Sequence, residues 1–401
     1  MPPRVPRSVT GRTTNVTLLL AATLAVGAAF VAAADAQRQA APFSNAYPAD
    51  GDTGLRAPAR YFLRRAWVQL TRNMAATPLP DTVALDIGDM AVQPFTAAWI
   101  GHASLLVRAG DVWIMTDPML SDYATPVPPF GPKRLTPLPI DPDDLPHIDF
   151  VLISHDHYDH LDLPTLRRLA RQPGGPPRFL AGRGLSSWFQ REVGIASEDF
   201  DWWQSTRAGA LGLTFVPAQH SSGRGIVQKN HTLWGGWVIE HDGRRLYFAG
   251  DTAFSAPMFR DIRERAGPID FAALPIGAYR PREWMRFEHL DPGEAVRAHI
   301  ELGARRSLAI HWATFQLGDE EPITPSLDLA AALRDRGIDG FDIVSVGGTL
   351  AIPAAGHPQI LTDARSANYW GSPASMLLRS ASVSSDGRVL STMESSSRQR
   401  R

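Results

Sequence analysis

The sequence predicts an α/β fold in which two β-sheets pack face to face and helices cover their outer surfaces. Strand-like and helix-like segments alternate between about residues 91 and 353. Several of the apolar, strand-like runs end abruptly in histidine or aspartate, as happens where rigid strand ends carry a site. A chain of 401 residues is also long enough to bury the core that two sheets require.

The first half of this fold begins with a meander of three short predicted strands. A proline-rich loop over residues 118–146 follows them, and its length without periodicity indicates a functional segment. A buried strand then begins at Val151. The meander strands are predicted at 95–100, 104–108 and 112–116. The other predicted elements of this half are strands at 178–181 and 212–217 and helices near 163–170 and 185–193.

The second half repeats the alternation. A hairpin signal at Asp242 and Gly243 joins two predicted strands. Asp291, followed by Pro292 and Glu294, predicts a capped helix start, and Gly303 is a natural end for that helix. The two hairpin strands are predicted at 234–240 and 245–249. The other predicted elements are strands at 271–276, 307–310, 342–346 and 349–352 and helices near 257–266 and 325–336.

The N-terminus has the features of a targeting segment. Three arginines precede an apolar stretch over residues 16–34. The small residues Ala34 and Ala36 then occupy the cleavage positions. This pattern predicts a Sec-type signal peptide over residues 1–36, cleaved after Ala36, and hence export to the periplasm. An uncleaved membrane anchor is the alternative, since the apolar run approaches the minimum length for spanning a bilayer.

The remaining chain divides into three predicted parts. Residues 37–90 form a linker and a basic amphipathic helix over 56–70, which either packs on the folded domain or makes a peripheral contact with an anionic membrane surface. Residues 91–355 form the folded domain. Residues 356–401 are a serine-rich, low-complexity tail to which no structure is assigned.

Composition restricts the partners and the chemistry. The formal net charge is −1, so no global field favours nucleic acid, and none is expected as a partner. The chain contains no cysteine, which excludes disulfides and thiolate metal sites. Any metal must therefore be held by histidine and carboxylate.

A cluster of such residues directly follows the strand that begins at Val151. His155, His157, Asp159 and His160 lie within six residues, and the alternation of the first two allows both imidazoles to point to one side. Imidazole and carboxylate at this density are typical of a catalytic site for a cation such as zinc. The alternative is a solvated polar turn. However, this spacing of histidine and aspartate residues seldom arises by chance.

Three further polar residues occupy similar positions. His220, Asp251 and His311 each follow an apolar strand-like run. Any one of them alone would be an ordinary turn or core residue. Because strand ends gather catalytic groups and hold them rigidly, the three together support a shared site.

The spacing His155-x-His157-x-Asp159–His160 resembles the H-x-H-x-D-H signature of the metallo-β-lactamase superfamily. The resemblance implies a four-layer αβ/βα sandwich and a zinc-dependent hydrolase that uses a hydroxide shared by two zinc ions. It also implies that Asp159 and Asp251 belong to the catalytic centre, with Asp251 bridging the ions. The implied ligands are His155, His157 and His220 for one zinc and Asp159, His160 and His311 for the second.

Further stretches resemble the N-acylphosphatidylethanolamine-hydrolysing phospholipase D family. That resemblance implies a phosphodiesterase acting on phospholipids, with His289 near the substrate phosphate as a hydrogen-bond or proton donor. His102 could orient a metal ligand. The stretches are 99–104, 131–134, 151–158, 201–203, 233–237, 248–252, 275–282 and 309–315.

The sequence departs from this family in one place beside the site. Animal members have an aromatic residue after the third zinc histidine, where this chain has Ser221, and this puts acyl-chain specificity in doubt. Two other functions stay open: a lactonase or other ester or amide hydrolase on the same site, and a non-enzymatic metal-binding envelope protein. The physiological metal and the oligomeric state also stay open.

Overall fold

The computed structural model describes residues 43–47, 78–224 and 229–353, and every structural statement below concerns those residues. Two seven-stranded mixed sheets form the centre of the molecule. The first sheet contains β1 (Phe95–Gly101), β2 (Ser104–Ala109), β3 (Val112–Thr116), β4 (Phe150–Leu152), β5 (Arg178–Gly182), β6 (Glu198–Phe200) and β14 (Thr349–Ala351). Its spatial order is β14-β1-β2-β3-β4-β5-β6.

The second sheet contains β7 (Ser205–Ala208), β8 (Leu211–Pro217), β9 (Gly235–His241), β10 (Arg244–Phe248), β11 (Phe271–Pro275), β12 (Arg306–Ile310) and β13 (Phe341–Asp342). Its spatial order is β13-β12-β11-β10-β9-β8-β7. The helices are α1 (Ile87–Val92), α2 (Leu163–Leu169), α3 (Ser186–Glu192), α4 (Ala256–Ala266), α5 (Arg282–Met285), α6 (Pro292–Leu302) and α7 (Thr324–Arg336).

Alternation along the strands explains why both faces of the first sheet are covered. In β4, Phe150 and Leu152 join the core between the two sheets, whereas Val151 points to the opposite face and packs with helices α1 to α3. The core between the sheets also includes Phe215 and Trp237 of the second sheet. Helices α4, α6 and α7 pack against the second sheet, which completes the predicted arrangement of two sheets covered by helices.

The strand directions place one edge of each sheet at the site. Strands β3, β4 and β5 are parallel, as are β10, β11 and β12. Strand β8 also runs parallel to β10, because each pairs antiparallel with β9 between them. The carboxyl ends of these strands therefore gather together, and in parallel sheets this is where ligand sites form.

Sequence-based predictions of individual elements differ from the structure in a few places. The expected strand over 342–346 is only the two residues of β13, because residues 343–346 leave the ladder and Val346 instead pairs with Thr82. Four short elements, β6, β7, α1 and α5, have no strong apolar pattern and were not predicted. The pairing of Thr82 and the buried side chain of Met90 show that the fold extends before residue 91.

Three predictions concern residues outside the described ranges. They are the signal peptide over 1–36, the amphipathic helix over 56–70 and the tail over 356–401, and they stay predictions. Within the described part of the chain, no helix has the length and apolar character needed to cross a bilayer.

Candidate metal centre

Three histidine rings face one another at the end of β4. His155 Nε2 lies 2.8 Å from His157 Nδ1, and His220 Nε2, delivered by the loop after β8, lies 3.3 Å from the same atom. In a tetrahedral zinc site with Zn–N bonds of 2.0–2.1 Å, ligand nitrogens are separated by about 3.3 Å. These residues, the three-histidine cluster, thus converge closely enough for one metal ion to contact all three.

A second group lies beside the first and includes a carboxylate. Asp159 Oδ2 is 2.9 Å from His102 Nε2, 3.3 Å from His160 Nε2 and 3.6 Å from His311 Nε2. His311 comes from the end of β12 in the second sheet, whereas the other residues come from the first. We call His102, Asp159, His160 and His311 the carboxylate cluster.

Asp251 lies between the two clusters. Its Oδ2 is 3.2 Å from His160 Nε2 and 3.9 Å from His220 Nε2, and its Oδ1 is 3.1 Å from His311 Nε2. The carboxylate thus faces one histidine of the three-histidine cluster and two of the carboxylate cluster. This is the position that a residue bridging two metal ions must occupy.

Buried polar atoms without hydrogen-bond partners test whether this donor set fits a metal. His160 Nε2, Asp251 Oδ1 and His311 Nε2 are all buried and lie 3.1–3.2 Å from charged neighbours, but among the described atoms none of them makes a hydrogen bond. A buried polar group without a partner costs about 1–3 kcal/mol. The presence of several such atoms facing one another is explained if they coordinate a cation. The residues present therefore fit a pair of divalent metal ions.

The pKa values of these groups support that fit. Burial alone would raise the pKa of Asp251, but His311 and His160 hold it well below its ordinary value. Burial alone would lower the pKa of His311, but Asp251 raises it to about 9. Burial lowers the pKa of His155 well below its usual range. His155 is thus ready as a neutral ligand, whereas His311 must release its proton when a metal binds.

Asp117 is a site residue that the sequence analysis missed. Its buried carboxylate accepts a hydrogen bond of 2.7 Å from His160 Nδ1 and another of 2.7 Å from the backbone N–H of Ser154. It fixes His160 so that Nε2 points at Asp159 and Asp251. The sequence did contain a signal for it, namely a polar residue at the end of an apolar strand. Asp117 directly follows β3, and His155 likewise comes three residues after the end of β4.

Glu288 has the same role toward His220. The Nδ1 atom of His220 lies 2.8 Å from the backbone oxygen of Glu288 and 3.1 Å from its carboxylate Oε2. Ser221 donates a hydrogen bond of 2.9 Å to that same Oε2 atom, and Lys229 Nζ lies 3.7 Å from Oε1. The serine that departs from the family pattern is therefore part of the support of a predicted ligand.

Arg224 holds the ligand loop from the other side. Its guanidinium Nη1 donates to the backbone oxygens of Asp156 (2.9 Å) and Leu161 (2.8 Å), which flank the predicted ligands His157, Asp159 and His160. The same guanidinium stacks 4.1 Å above the ring of Tyr158. Sequence reasoning could not pair Arg224 with this loop, because only the fold brings them together.

Backbone conformation at the site is unusual in three non-glycine residues. His102, Asp117 and His311 have φ angles of 52°, 36° and 61°. Side chains other than glycine rarely adopt this region, and such conformations concentrate where function requires them. Close approach also requires Gly277, where a Cβ atom would lie 2.1 Å from the backbone oxygen of His311.

His289 lies at the rim of the centre, just before the helix α6. Its Nδ1 is 3.7 Å from Asp251 Oδ2, and its ring centre is 5.3 Å from that of His220 and 5.7 Å from that of His311. With 13% of its side chain exposed, it is more open than the buried histidines His155 and His160. It belongs to neither cluster, but its buried Nδ1 has no hydrogen-bond partner among the described atoms and lies within reach of an ion held by Asp251 and His311.

Comparison with known proteins decides the family. A model described as the β-lactamase superfamily domain matches residues 112–312. The Caenorhabditis elegans protein named N-acyl-phosphatidylethanolamine-hydrolyzing phospholipase D 1 is 39% identical over 249 residues, which cover 60% of this chain and 69% of that protein. The chain belongs to the metallo-β-lactamase superfamily. Within it, the chain lies in the branch of the N-acylphosphatidylethanolamine-hydrolysing phospholipases D, which confirms the predicted resemblance.

Two further similarities agree with this assignment to the superfamily. The mitochondrial N-acyl-phosphatidylethanolamine-hydrolyzing phospholipase D of Saccharomyces cerevisiae is 31% identical over 238 residues, which cover 58% of this chain and 50% of that protein. The crystal structure of an isothiocyanate hydrolase from Delia radicum gut bacteria is 18% identical, covers 64% of this chain and 98% of its own, and superposes with a TM-score of 0.50. The latter shows the fold alone.

The superfamily match, the phospholipase relatives and the converging histidine and aspartate donors together identify the protein as a metal-dependent hydrolase. The structure brings all seven predicted ligands together and places His289 beside them. His102 contacts Asp159, as expected for a residue that orients a ligand. The role of each residue as a ligand, and of His289 toward substrate, stays a prediction.

Proposed function

We propose that the protein is a zinc-dependent phosphodiesterase of the phospholipase D type that acts on N-acylphosphatidylethanolamine-like phospholipids. The main observation in support is the position of His289. Its imidazole lies at the rim of the centre, whereas the other histidines of the centre are members of the two clusters. The names of the two phospholipase D relatives support the substrate class. Physiological partners would be this lipid and its membrane, not nucleic acid.

The proposed metal ligands divide between two ions. His155, His157 and His220 would hold one zinc, Asp159, His160 and His311 the other, and Asp251 both. When bound, a zinc pair supplies positive charge at the phosphate and an activated water at neutral pH. Asp117 and Glu288 keep His160 and His220 in the orientation that this binding requires.

His289 would contact the substrate itself. Burial lowers the pKa of His289 well below its ordinary value, so its imidazole is neutral. A neutral imidazole keeps one N–H and can donate a hydrogen bond to a phosphoryl oxygen on which negative charge increases during the reaction. Of the two roles implied by the family resemblance, hydrogen-bond donation is therefore favoured over proton transfer from an imidazolium.

The substitution His289→Ala tests this role. Loss of one such donor should lower kcat by roughly 10²-fold, on a phospholipid and on bis-p-nitrophenyl phosphate alike. Both zinc ions should remain bound, as measured by elemental analysis. If both activities survive unchanged, His289 does not touch the phosphate. A loss confined to the phospholipid, whose alkoxide leaving group needs a proton, would restore the general-acid role.

We also propose that the protein is exported to the periplasm after cleavage of residues 1–36. The proposal rests on the arginines, the apolar stretch and the small residues of the N-terminus. Fractionation of the native cells and N-terminal sequencing should find a chain that begins at Gln37. Intact protein in the cytosol would contradict export.

A further inference from the structure

The proline-rich loop between β3 and β4 displays apolar side chains to solvent. In the part of the chain that the structure describes, five large hydrophobic side chains are exposed, and only Val127 (60%) and Phe130 (75%) belong to the same loop. The ten residues 123–132 around them contain no charged side chain. We call residues 126–132 the apolar tip.

The backbone of the apolar tip offers few hydrogen-bond donors. Four of its seven residues are proline and have no N–H group. The N–H of Phe130 donates to the oxygen of Val127 at 3.0 Å, and the N–H of Val127 to Oγ1 of Thr125 at 3.4 Å. Unpaired backbone N–H and C=O groups are unfavourable in the apolar part of a bilayer, because no water is present there to bond them. Proline removes the donor half of this cost.

Hydrogen bonds fix the base of this loop at the edge that carries the metal centre. The N–H of Arg134 donates to the oxygen of Asp122 at 2.7 Å, which closes the loop. The N–H of Leu135 donates to the oxygen of Thr314 at 2.8 Å, three residues after the predicted ligand His311. The tip therefore extends from a rigid base beside the site.

We propose that the apolar tip inserts into the surface of a zwitterionic phospholipid bilayer and holds the metal centre against its substrate. This inference rests on the proposed lipid phosphodiesterase function. Residues 123–132 carry no charge, and the exposed Asp122 and Lys133 that flank them have opposite charges, which together favour a neutral lipid surface over an anionic one. The apolar tip has few hydrogen-bond donors, exposes apolar side chains and is fixed beside the site. All three properties favour contact with a lipid bilayer.

A site-specific label tests the proposal directly, because the chain contains no cysteine. Phe130→Cys in the full chain, labelled with a nitrobenzoxadiazole dye, should show a blue-shifted and brighter emission with phosphatidylcholine vesicles. Nitroxide groups on the lipid acyl chains should quench it. The matched control is Val92→Cys, since Val92 is also 75% exposed but ends the helix α1 instead of this loop. The label at residue 92 should stay in water.

Partitioning provides the second measurement. Val127→Ser with Phe130→Ser should weaken binding to phosphatidylcholine vesicles by about tenfold or more, because two apolar side chains no longer enter the bilayer. Val92→Ser should leave binding unchanged. Turnover of the soluble bis-p-nitrophenyl phosphate should be the same in all three proteins. Binding should be insensitive to salt and no stronger on phosphatidylglycerol vesicles.

The outcomes separate this proposal from the proposed function. A label at residue 130 that stays in water beside bound vesicles overturns the proposal, as does equal response at residue 92 or a chain that binds no vesicles. The proposal would also be overturned if the wild-type protein is a dimer and the double variant is a monomer that still binds vesicles. The apolar tip would then be a contact between two copies of this chain. A label that enters the bilayer while phospholipid is not hydrolysed supports the surface and contradicts the proposed reaction.

Discussion

The three-histidine cluster and the carboxylate cluster obtain negative charge in different ways. The carboxylate cluster contains its own anion, Asp159, within 3.6 Å of three histidines. The three-histidine cluster has no carboxylate of its own, and Glu288 stands behind His220 on the far ring nitrogen. Apart from the shared Asp251, an ion in the carboxylate cluster would contact charge directly, whereas an ion in the three-histidine cluster would receive it through an imidazole.

This difference predicts which substitutions should change the affinity of one cluster for its metal ion and which should change both. Residues shared by the clusters should affect both ions, and residues behind one histidine should affect one. Asp251 belongs to the first kind and Glu288 to the second. Asp117 lies directly behind His160 and reaches His155 only indirectly, through Ser154.

The largest effect is expected from Asp251→Asn. The amide keeps the shape but removes the charge that faces both clusters, so activity should fall by roughly 10³-fold or more while the fold persists. Hydrolysis of bis-p-nitrophenyl phosphate and circular dichroism measure the two properties. An active Asp251→Asn protein would show that Asp251 does not join the clusters.

Glu288→Gln should weaken one ion selectively. Removal of the charge behind His220 should lower metal affinity of the three-histidine cluster by about 10- to 100-fold and leave the carboxylate cluster unchanged. Competition with a chelator, read as two separate steps, measures both affinities. The matched variant is Asp117→Asn, which should weaken the carboxylate cluster more, because Asp117 contacts His160 directly but reaches His155 of the other cluster only through Ser154. Equal weakening of both ions by either variant would contradict the separation.

The smallest effect is expected from Ser221→Ala. This change removes one hydrogen bond to Glu288 but leaves its contact with His220, so affinity of the three-histidine cluster should fall by about two- to tenfold. The same chelator competition detects it. An effect as large as that of Glu288→Gln would mean that Ser221, not the charge, controls this ligand.

The sequence was most informative where ligands are close along the chain. His155, His157, Asp159 and His160 belong to one loop, and their spacing alone predicts a metal site. His220, Asp251 and His311 were found because each follows an apolar strand, and parallel strands end at one edge. The alternation of strands and helices likewise predicted both sheets.

Supporting residues were harder to predict. Glu288 and Arg224 act through contacts between segments that are distant in sequence, and nothing local marks them. Asp117 had a local signal, but a single aspartate after a strand is common. Short elements such as β6 and β7 lack apolar periodicity and form because their neighbours offer an unpaired strand edge.

The most direct test of the dinuclear account is a stepwise zinc titration of the metal-free protein with N-acylphosphatidylethanolamine as substrate. We expect two ions to bind per chain, and phospholipid hydrolysis to rise to its full rate only as the second ion binds. Full activity with one ion would contradict a shared role of the two clusters. No hydrolysis of the phospholipid with both ions bound would contradict the proposed phosphodiesterase.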